Sequence, residues 1–378
     1  MSWLFLSSGL FLGWSLGAND GANIFGTAVG TKMVRFRTAA GVAAVFVVIG
    51  AIAGAQGTSV TLGRLGAIDA PAGAFVVALA AGLAIVLLLT RIGLPVSISQ
   101  SIVGAIVGWN LFTGRPTDLS ALTTLLSSWL VSPALSALVA AALFLLTRAA
   151  IPRLRIHLLE VDAWTRAGLL SVGAFAAFSL GQNAIANVMG VFVRVSPFPA
   201  SVPLGPVSAT SVEMLFFFGG LAIATGIVTY SRRIMMRLGA GLTSLSPVAA
   251  LIVVLSASTV LFLFGSKELQ AALHGYGLPG WPLVPVSGSQ AIVGAILGIS
   301  LVRRSGIRFR ALGEIAVGWV AAPLAALVFS LIGLFVFQNV FELPVSSKSP
   351  SRRSVAADAS GPSAPPGPAG ANPVSSVR

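Results

Sequence analysis

Apolar stretches of close to 20 residues follow one another along almost the whole chain, at about 3–31, 38–56, 72–91, 94–112, 125–147, 164–193, 210–230, 245–264, 284–302 and 313–338. Each is about the length that crosses some 30 Å of hydrocarbon as a helix. Water cannot be the solvent of such a chain: 56% of it is hydrophobic and 9% charged, with a mean hydropathy of +0.95, too little polar surface to cover a globule. In lipid every backbone polar group must be paired within the protein, so only helices or closed barrels span. These runs are too long and too uniform for barrel strands, which alternate. The fold class expected is an all-α polytopic membrane protein with about 10–12 transmembrane helices, broken or re-entrant segments included. The opening Met1-Ser-Trp-Leu-Phe-Leu lacks a basic start and a cleavage site, and reads as a retained helix.

Composition removes several kinds of chemistry. Without cysteine there are no disulfides, thiolate metal sites or thiol nucleophiles. The two histidines, His157 and His274, fall in loop-like stretches, which argues against a proton relay of imidazoles within the membrane. The net charge of +13 comes from short basic clusters between apolar runs. Orientation rules and anionic membrane lipid account for these, and no nucleic acid is expected.

The segment from Pro95 to Gly108, PVSISQSIVGAIVG, returns from Pro285 to Gly298 as PVSGSQAIVGAILG, identical at 11 of 14 positions. The stretch Gly17-Ala-Asn-Asp-Gly-Ala-Asn23 corresponds to Gly181-Gln-Asn-Ala-Ile-Ala-Asn187, and Trp129 with Pro133 to Trp319 with Pro323. Offsets of 164 for the first pair and 190 for the others place an insertion in the second half, which includes the Pro-rich 196–206. Five segments per half make the second copy enter the bilayer in the opposite direction, an inverted repeat. Loops after odd-numbered segments carry most of the Lys and Arg, and those after even-numbered ones only Arg64, Arg115, Arg194 and Lys267. The positive-inside rule then puts both termini outside. The division expected is 1–147 for the first repeat, a cytoplasmic loop at 148–166, 167–343 for the second repeat, and a disordered Ser/Pro/Gly/Ala-rich tail from 344 to 378.

Polar residues stand out against this background. Asn19, Asp20 and Asn23 sit inside the first segment among glycines at 13, 17, 21, 26 and 30. An ionisable group at that depth is costly unless it faces a partner or a wet cavity, so it marks a functional site. Gly and Asn tolerate an unwound helix whose carbonyls can hold a cation, although they also serve close helix packing. In the duplicated motif, Pro95 and Pro285 suit a helix first turn. Behind them Ser97, Ser99, Gln100 and Ser101, with Ser287, Ser289 and Gln290, offer hydroxyls and N–H groups at a positive helix end, able to hold an oxyanion without any basic residue. Simple N-capping is the plainer role of such serines. Glu213 and Glu314 lie near segment ends, as interfacial residues do. No nucleotide-binding loop follows a strand, so energy must come from an ion or substrate gradient.

The run from Gly17 to Lys32, GANDGANIFGTAVGTK, together with the two PVS segments, Phe218-Gly-Gly-Leu and the basic turn at Tyr230-Ser-Arg-Arg, resembles the inorganic phosphate transporter family over residues 1 to about 340. The resemblance implies cation-coupled uptake of phosphate at a site formed by the duplicated signatures; a related branch carries sulfate. The chain departs from the family pattern where Asn183 is followed by Ala184 instead of a second Asp, and where the PVS motifs, which in the family often continue with hydroxyl residues and His, read Ile98-Ser99-Gln100 and Gly288-Ser289-Gln290. Hydrogen phosphate carries a P–OH donor that a carboxylate accepts, whereas sulfate has none at neutral pH. Loss of one carboxylate therefore weakens, without reversing, the case for phosphate.

The expected function is a multi-pass plasma-membrane symporter for inorganic phosphate, driven by sodium or protons, with a proton-coupled sulfate permease as the alternative. The anion would meet Asn23, Ser97, Ser99, Gln100, Asn187, Ser287, Ser289 and Gln290. The coupling cation would meet Asn19, Asp20 and Asn183, with Asp20 the one candidate sodium ligand of charge. No cofactor beyond sodium or a proton is expected; the partners are the anion and membrane lipid, with a homodimer left open. A membrane-embedded enzyme would need a nucleophile and a base at close quarters, and a passive channel would ignore every cation gradient.

Overall fold

The computed structural model describes residues 2–54, 58–92, 96–154, 158–204, 207–232, 235, 245–278, 281–304 and 309–347. The apolar runs become helices α1 (Ser2–Gly30), α2 (Phe36–Ala53), α4 (Pro71–Ile92), α5 (Ile98–Thr113), α6 (Leu119–Ala150), α7 (Leu158–Met189), α8 (Ser211–Thr229), α9 (Pro247–Gly265), α11 (Gly288–Arg303) and α12 (Phe309–Asn339). Two short helices, α3 (Ser59–Leu65) between α2 and α4 and α10 (Lys267–Gly275) between α9 and α11, complete the described α-helices. Seven of these helices are long and apolar enough to cross a membrane, and α5 and α11 are shorter apolar helices of 16 residues each. A hairpin of β1 (Ser201–Leu204) and β2 (Val207–Thr210), antiparallel with Ser201 opposite Thr210, lies between α7 and α8.

Glycine-to-backbone contacts fix the helix directions. A Cβ on Gly17 would overlap the carbonyl of Ile223, and one on Gly226 the carbonyl of Trp14; Gly13 and Gly21 meet Ala222 and Ile227 in the same register. Hence α1 and α8 run parallel at backbone contact, as small residues permit in lipid. The same relation joins α2 and α7, where Gly50 meets the Phe178 carbonyl and Gly181 that of Val47. Residues 31–35 are too short to carry the chain back along the roughly 27 Å of α2, so α1 and α2 are antiparallel. It follows that α7, parallel to α2, runs against α1: the repeats are inverted.

The halves are also intertwined. Helix α5 packs on α12, and α11 on α6; α4 packs on α12, and α9 on α6. Each contact joins a segment of one half to a segment of the other. Gly104 faces the Pro323 carbonyl and Gly294 the Pro133 carbonyl, with Gly298 one turn on against Ala137.

Several expectations change. Helix α1 is unbroken through Gly17–Asn23, because its glycines admit α8 instead of loosening the backbone. Pro285 stands two residues ahead of the N-cap Ser287, not in the first turn; Pro95 lies outside the described residues. Helices α6 and α7 extend into the 148–166 connection, where the Arg166–Asp162 pair at 2.9 Å supports the exposed turn. Residues 155–157, with His157, lie outside the described residues. The inserted length is divided: Val47 matches Ile223 by the reciprocal contacts, an offset of 176 (223 − 47), so the hairpin region accounts for only part of it.

The first residues of the composition-defined tail are ordered, 345–347 docking on the bundle beyond α12. Val345 is fully buried, its carbonyl accepting from Trp109 Nε1 at 3.0 Å. Asp69 binds Arg115 at 2.6 Å and also Ser347 Oγ, and Arg115 reaches Ser346 at 2.8 Å. Residues 348–378 lie outside the described residues.

Candidate functional site

Two asparagines build the centre. The Asn183 carboxamide donates to the carbonyl of Val286 at 2.8 Å and accepts from its N–H at 3.0 Å. Asn19 does the same to Val96, at 2.9 and 3.4 Å. The extended residue before each short helix has no ladder to join, and the carboxamide supplies both missing partners. Thus α1 holds the start of α5, and α7 the start of α11, one clamp in each half.

The helix starts carry the serines. Ser97 and Ser287 are N-caps, accepting from Gln100 N at 3.4 Å and Gln290 N at 3.3 Å, so the capping role is real for these two. Ser99 donates to the Val286 carbonyl at 3.3 Å and accepts from Asn187 Nδ2 at 2.9 Å, a bond between halves. Ser287 and Ser289 share a hydrogen bond of 3.1 Å. Between the two helix ends lies a cavity of about 10 Å³, lined by all four of these cap and second-position serines together with Asp20, Asn183 and Asn187. Among the described residues no basic side chain lines it. The positive ends of two helices and a set of hydroxyls are the donors there.

Asp20 is 6% exposed. Its Oδ1 accepts from Asn19 at 2.9 Å and Asn23 at 3.1 Å. Its Oδ2 points at Gly288, where a Cβ would come to 3.7 Å. By the internal repeat, Ala184 corresponds to Asp20 and Ile98 to Gly288, and both line the same cavity. On one side of the pseudo-axis a carboxylate of the first half therefore faces a glycine of the second, whereas the symmetry-related positions carry a methyl group from the second half and a branched apolar side chain from the first.

Of the expected site residues, Asn19 and Asn23 are second to Asp20 and act on it or on the backbone. Gln100 and Gln290 are buried but do not line the cavity, and their Oε1 atoms have no hydrogen-bond partner among the described residues. Trp129 Nε1 and Trp319 Nε1 share that condition. The register that sets Pro133 beside Gly294 and Pro323 beside Gly104 puts Trp129 level with Gln290 and Trp319 level with Gln100, each donor one turn before its proline and each acceptor one turn before its glycine. Gly288 and Ile98 stand in the stretches that depart from the family pattern but were not expected among the site residues, although their difference is one of only three in the duplicated motif. Of the other carboxylates, Glu213 forms a capping box with Thr210, and Glu314 pairs with Arg310 at 3.2 Å; both are surface roles.

Inverted halves, short helices that begin inside the bundle and a polar centre holding one buried carboxylate define a helical membrane transport protein. The sequence model of the phosphate transporter family matches residues 16–161, 157–272 and 278–358, and the chain belongs to that family. It is 27% identical over 323 residues to a protein of Methanocaldococcus jannaschii named "putative phosphate permease", covering 85% of this chain and 93% of the relative. A protein of the same designation from Pyrococcus abyssi is 23% identical over 410 residues, covering 87% and 97%. A solved structure titled "The sodium-dependent phosphate transporter" superposes with a TM-score of 0.68 at 21% identity, over 89% of this chain and 98% of that one, a likeness of fold.

Proposed function

We propose that this protein takes up inorganic phosphate across the plasma membrane by symport with a monovalent cation, sodium or a proton. The observation that carries this reading is the Asp20 carboxylate, its Oδ2 turned toward Gly288 in a serine-lined cavity between two helix N-termini. Serine hydroxyls and helix-end N–H groups suit the phosphate oxygens, and Asp20 is placed to accept from P–OH or to hold the cation. A carboxylate beside an anion repels it unless neutralised, so cation or proton arrival at Asp20 favours anion binding and couples the two. A cavity of about 10 Å³ holds no more than one water. Anion binding therefore requires the α5 and α11 ends to separate, and the helices tied to them move as two bodies. The repeats 1–147 and 167–343, with both termini outside, belong to the same reading.

Sulfate is the second reading, favoured by Ala184, which leaves one carboxylate where two would serve the protonated anion. Uptake into proteoliposomes, with labelled phosphate or sulfate offered separately under imposed sodium or proton gradients, tests both. Phosphate accumulation that follows one of these gradients is expected. Sulfate accumulation with no phosphate uptake would replace the first reading by the second.

A further inference from the structure

On the face where basic residues are few, the chain has a second cavity, of about 330 Å³. It lies where α3 packs on the 3₁₀ turn Gly190–Val195 that continues α7, with Gly190 against Leu62. Arg64, in the last turn of α3, and Arg194, in the 3₁₀ turn, both line it, and no carboxylate among the described residues does. Both arginines are exposed, and neither belongs to an ion pair among the described residues. The nearby Arg115 differs, being tied to Asp69. Gly190, in the wall of this basic cavity, follows Asn187, in the wall of the central one, by less than one helical turn.

We infer that Arg64 and Arg194 form an outer vestibule that binds a tetrahedral oxyanion before it enters the central cavity. The inference rests on the oxyanion transport proposed above. Among the described residues the central cavity has no basic side chain to draw a multiply charged anion from water; its donors are short-range hydroxyls and N–H groups. Two guanidinium groups beside low-dielectric walls supply the missing long-range attraction and raise the local anion concentration. A guanidinium fork also suits paired oxyanion oxygens. A cavity of this size admits the anion with part of its hydration, so binding there is loose and exchange with the centre is fast.

A phosphate headgroup of lipid has the same chemistry, and the test separates the two sources. Purified R64Q/R194Q and the charge-keeping R64K/R194K would be reconstituted beside the unaltered protein in phosphatidylcholine vesicles, with and without phosphatidylglycerol, and labelled phosphate and sulfate uptake measured at several ionic strengths. In phosphatidylcholine alone, the Gln variant should show KM raised about 3–10-fold, maximal rate within about twofold, and loss of the rise of KM with salt. The Lys variant should stay near the unaltered protein. Unchanged KM and salt dependence in the Gln variant would overturn the vestibule while leaving the transport reading intact. An effect seen only with phosphatidylglycerol would assign the arginines to lipid and overturn it too. An unaltered protein that carries neither anion would overturn the transport reading, and the vestibule with it.

Discussion

Asn183 and Val286, 103 residues apart, are joined through one carboxamide that both donates to and accepts from the same backbone residue. Asn19 and Val96 repeat this relation. The clamps place the first turns of α5 and α11 across from one another, and they explain why asparagine occurs at both positions although only one is followed by an acid. Replacing Asn183 by Ala leaves a buried N–H and a buried carbonyl unpaired, at a cost of about 1–3 kcal/mol each. A lowered unfolding temperature in detergent and loss of uptake are expected. A melt that matches the unaltered protein would show that the clamp contributes nothing.

Asp20→Asn keeps the shape of the side chain and removes its charge. Gradient-driven accumulation should fall by at least about tenfold, each tenfold loss corresponding to about 1.4 kcal/mol. Exchange of labelled for unlabelled anion, which needs no net cation movement, should persist. Accumulation that survives in the Asn variant would remove Asp20 from coupling.

The arrangement Asp20/Gly288 against Ala184/Ile98 predicts that a second carboxylate site can be made by a paired change. Ala184→Asp together with Ile98→Gly recreates between α7 and α5 what α1 and α11 present. The dependence of uptake on cation concentration should become steeper, its Hill coefficient rising from about one toward two. Ala184→Asp alone, with Ile98 still present, should bury a carboxylate against an apolar side chain and lower stability. If the double variant keeps the original steepness, the asymmetry is not what sets cation number.

Gly104 and Gly294 admit the carbonyls of Pro323 and Pro133 to within the space a Cβ would fill. Backbone cannot move aside as a flexible side chain can. Gly104→Val or Gly294→Val should therefore destabilise by about 1–3 kcal/mol or more. Gly41→Ala and Gly63→Ala, at positions with open space beside them, are the controls. Equal melting behaviour of both sets would contradict the close approach.

Asp69 lies outside the membrane helices. Burial pushes its pKa up, but hydrogen bonds from Ser347 and Arg115 and the Arg115 charge outweigh this and hold it at about 2. A folded-state pKa below the unfolded value of about 3.9 means that the clasp stabilises fully above that value. Its contribution is lost as pH falls from about 4 to about 2. The difference in melting temperature between the unaltered protein and Asp69→Asn should be constant from pH 8 to 5 and vanish over the lower range. Because Asp69 is partly solvated, the difference should be modest. No difference at neutral pH would show that the 345–347 strap is held by Val345 and Trp109 without it.

Helix positions were legible because a run long enough to cross lipid has no other means of pairing its backbone. Asp20 was legible for the same reason: a charge at that depth is an exception that chemistry must explain. The roles of neighbouring residues were not. Gly17 and Gly21 suggested a loosened helix, but what they accommodate is α8, some 200 residues away in sequence, and composition carries no sign of the partner. Asn19 and Asn183 looked like ligands, yet their carboxamides are occupied by Val96 and Val286, a use visible only once α5 and α11 are in place. Val345 and Ser346 fell to the tail because their neighbours are Ser and Pro; the groove at Trp109 and Gly73 that receives them is a tertiary feature.

The crossed packing of the halves bears on how the chain is made. When α5 has been synthesised, the groove at Gly104 has no occupant, and none arrives until α12, more than 200 residues later. The grooves at Gly17 and Gly50 likewise await α8 and α7. Until then the backbone-deep grooves of the first half lack the helices that fill them, and it becomes a finished structure only when α12 closes over α5. For such a chain, insertion into the membrane and folding are separate events, and a ribosome that stops before residue 309 releases a product that is inserted but not built.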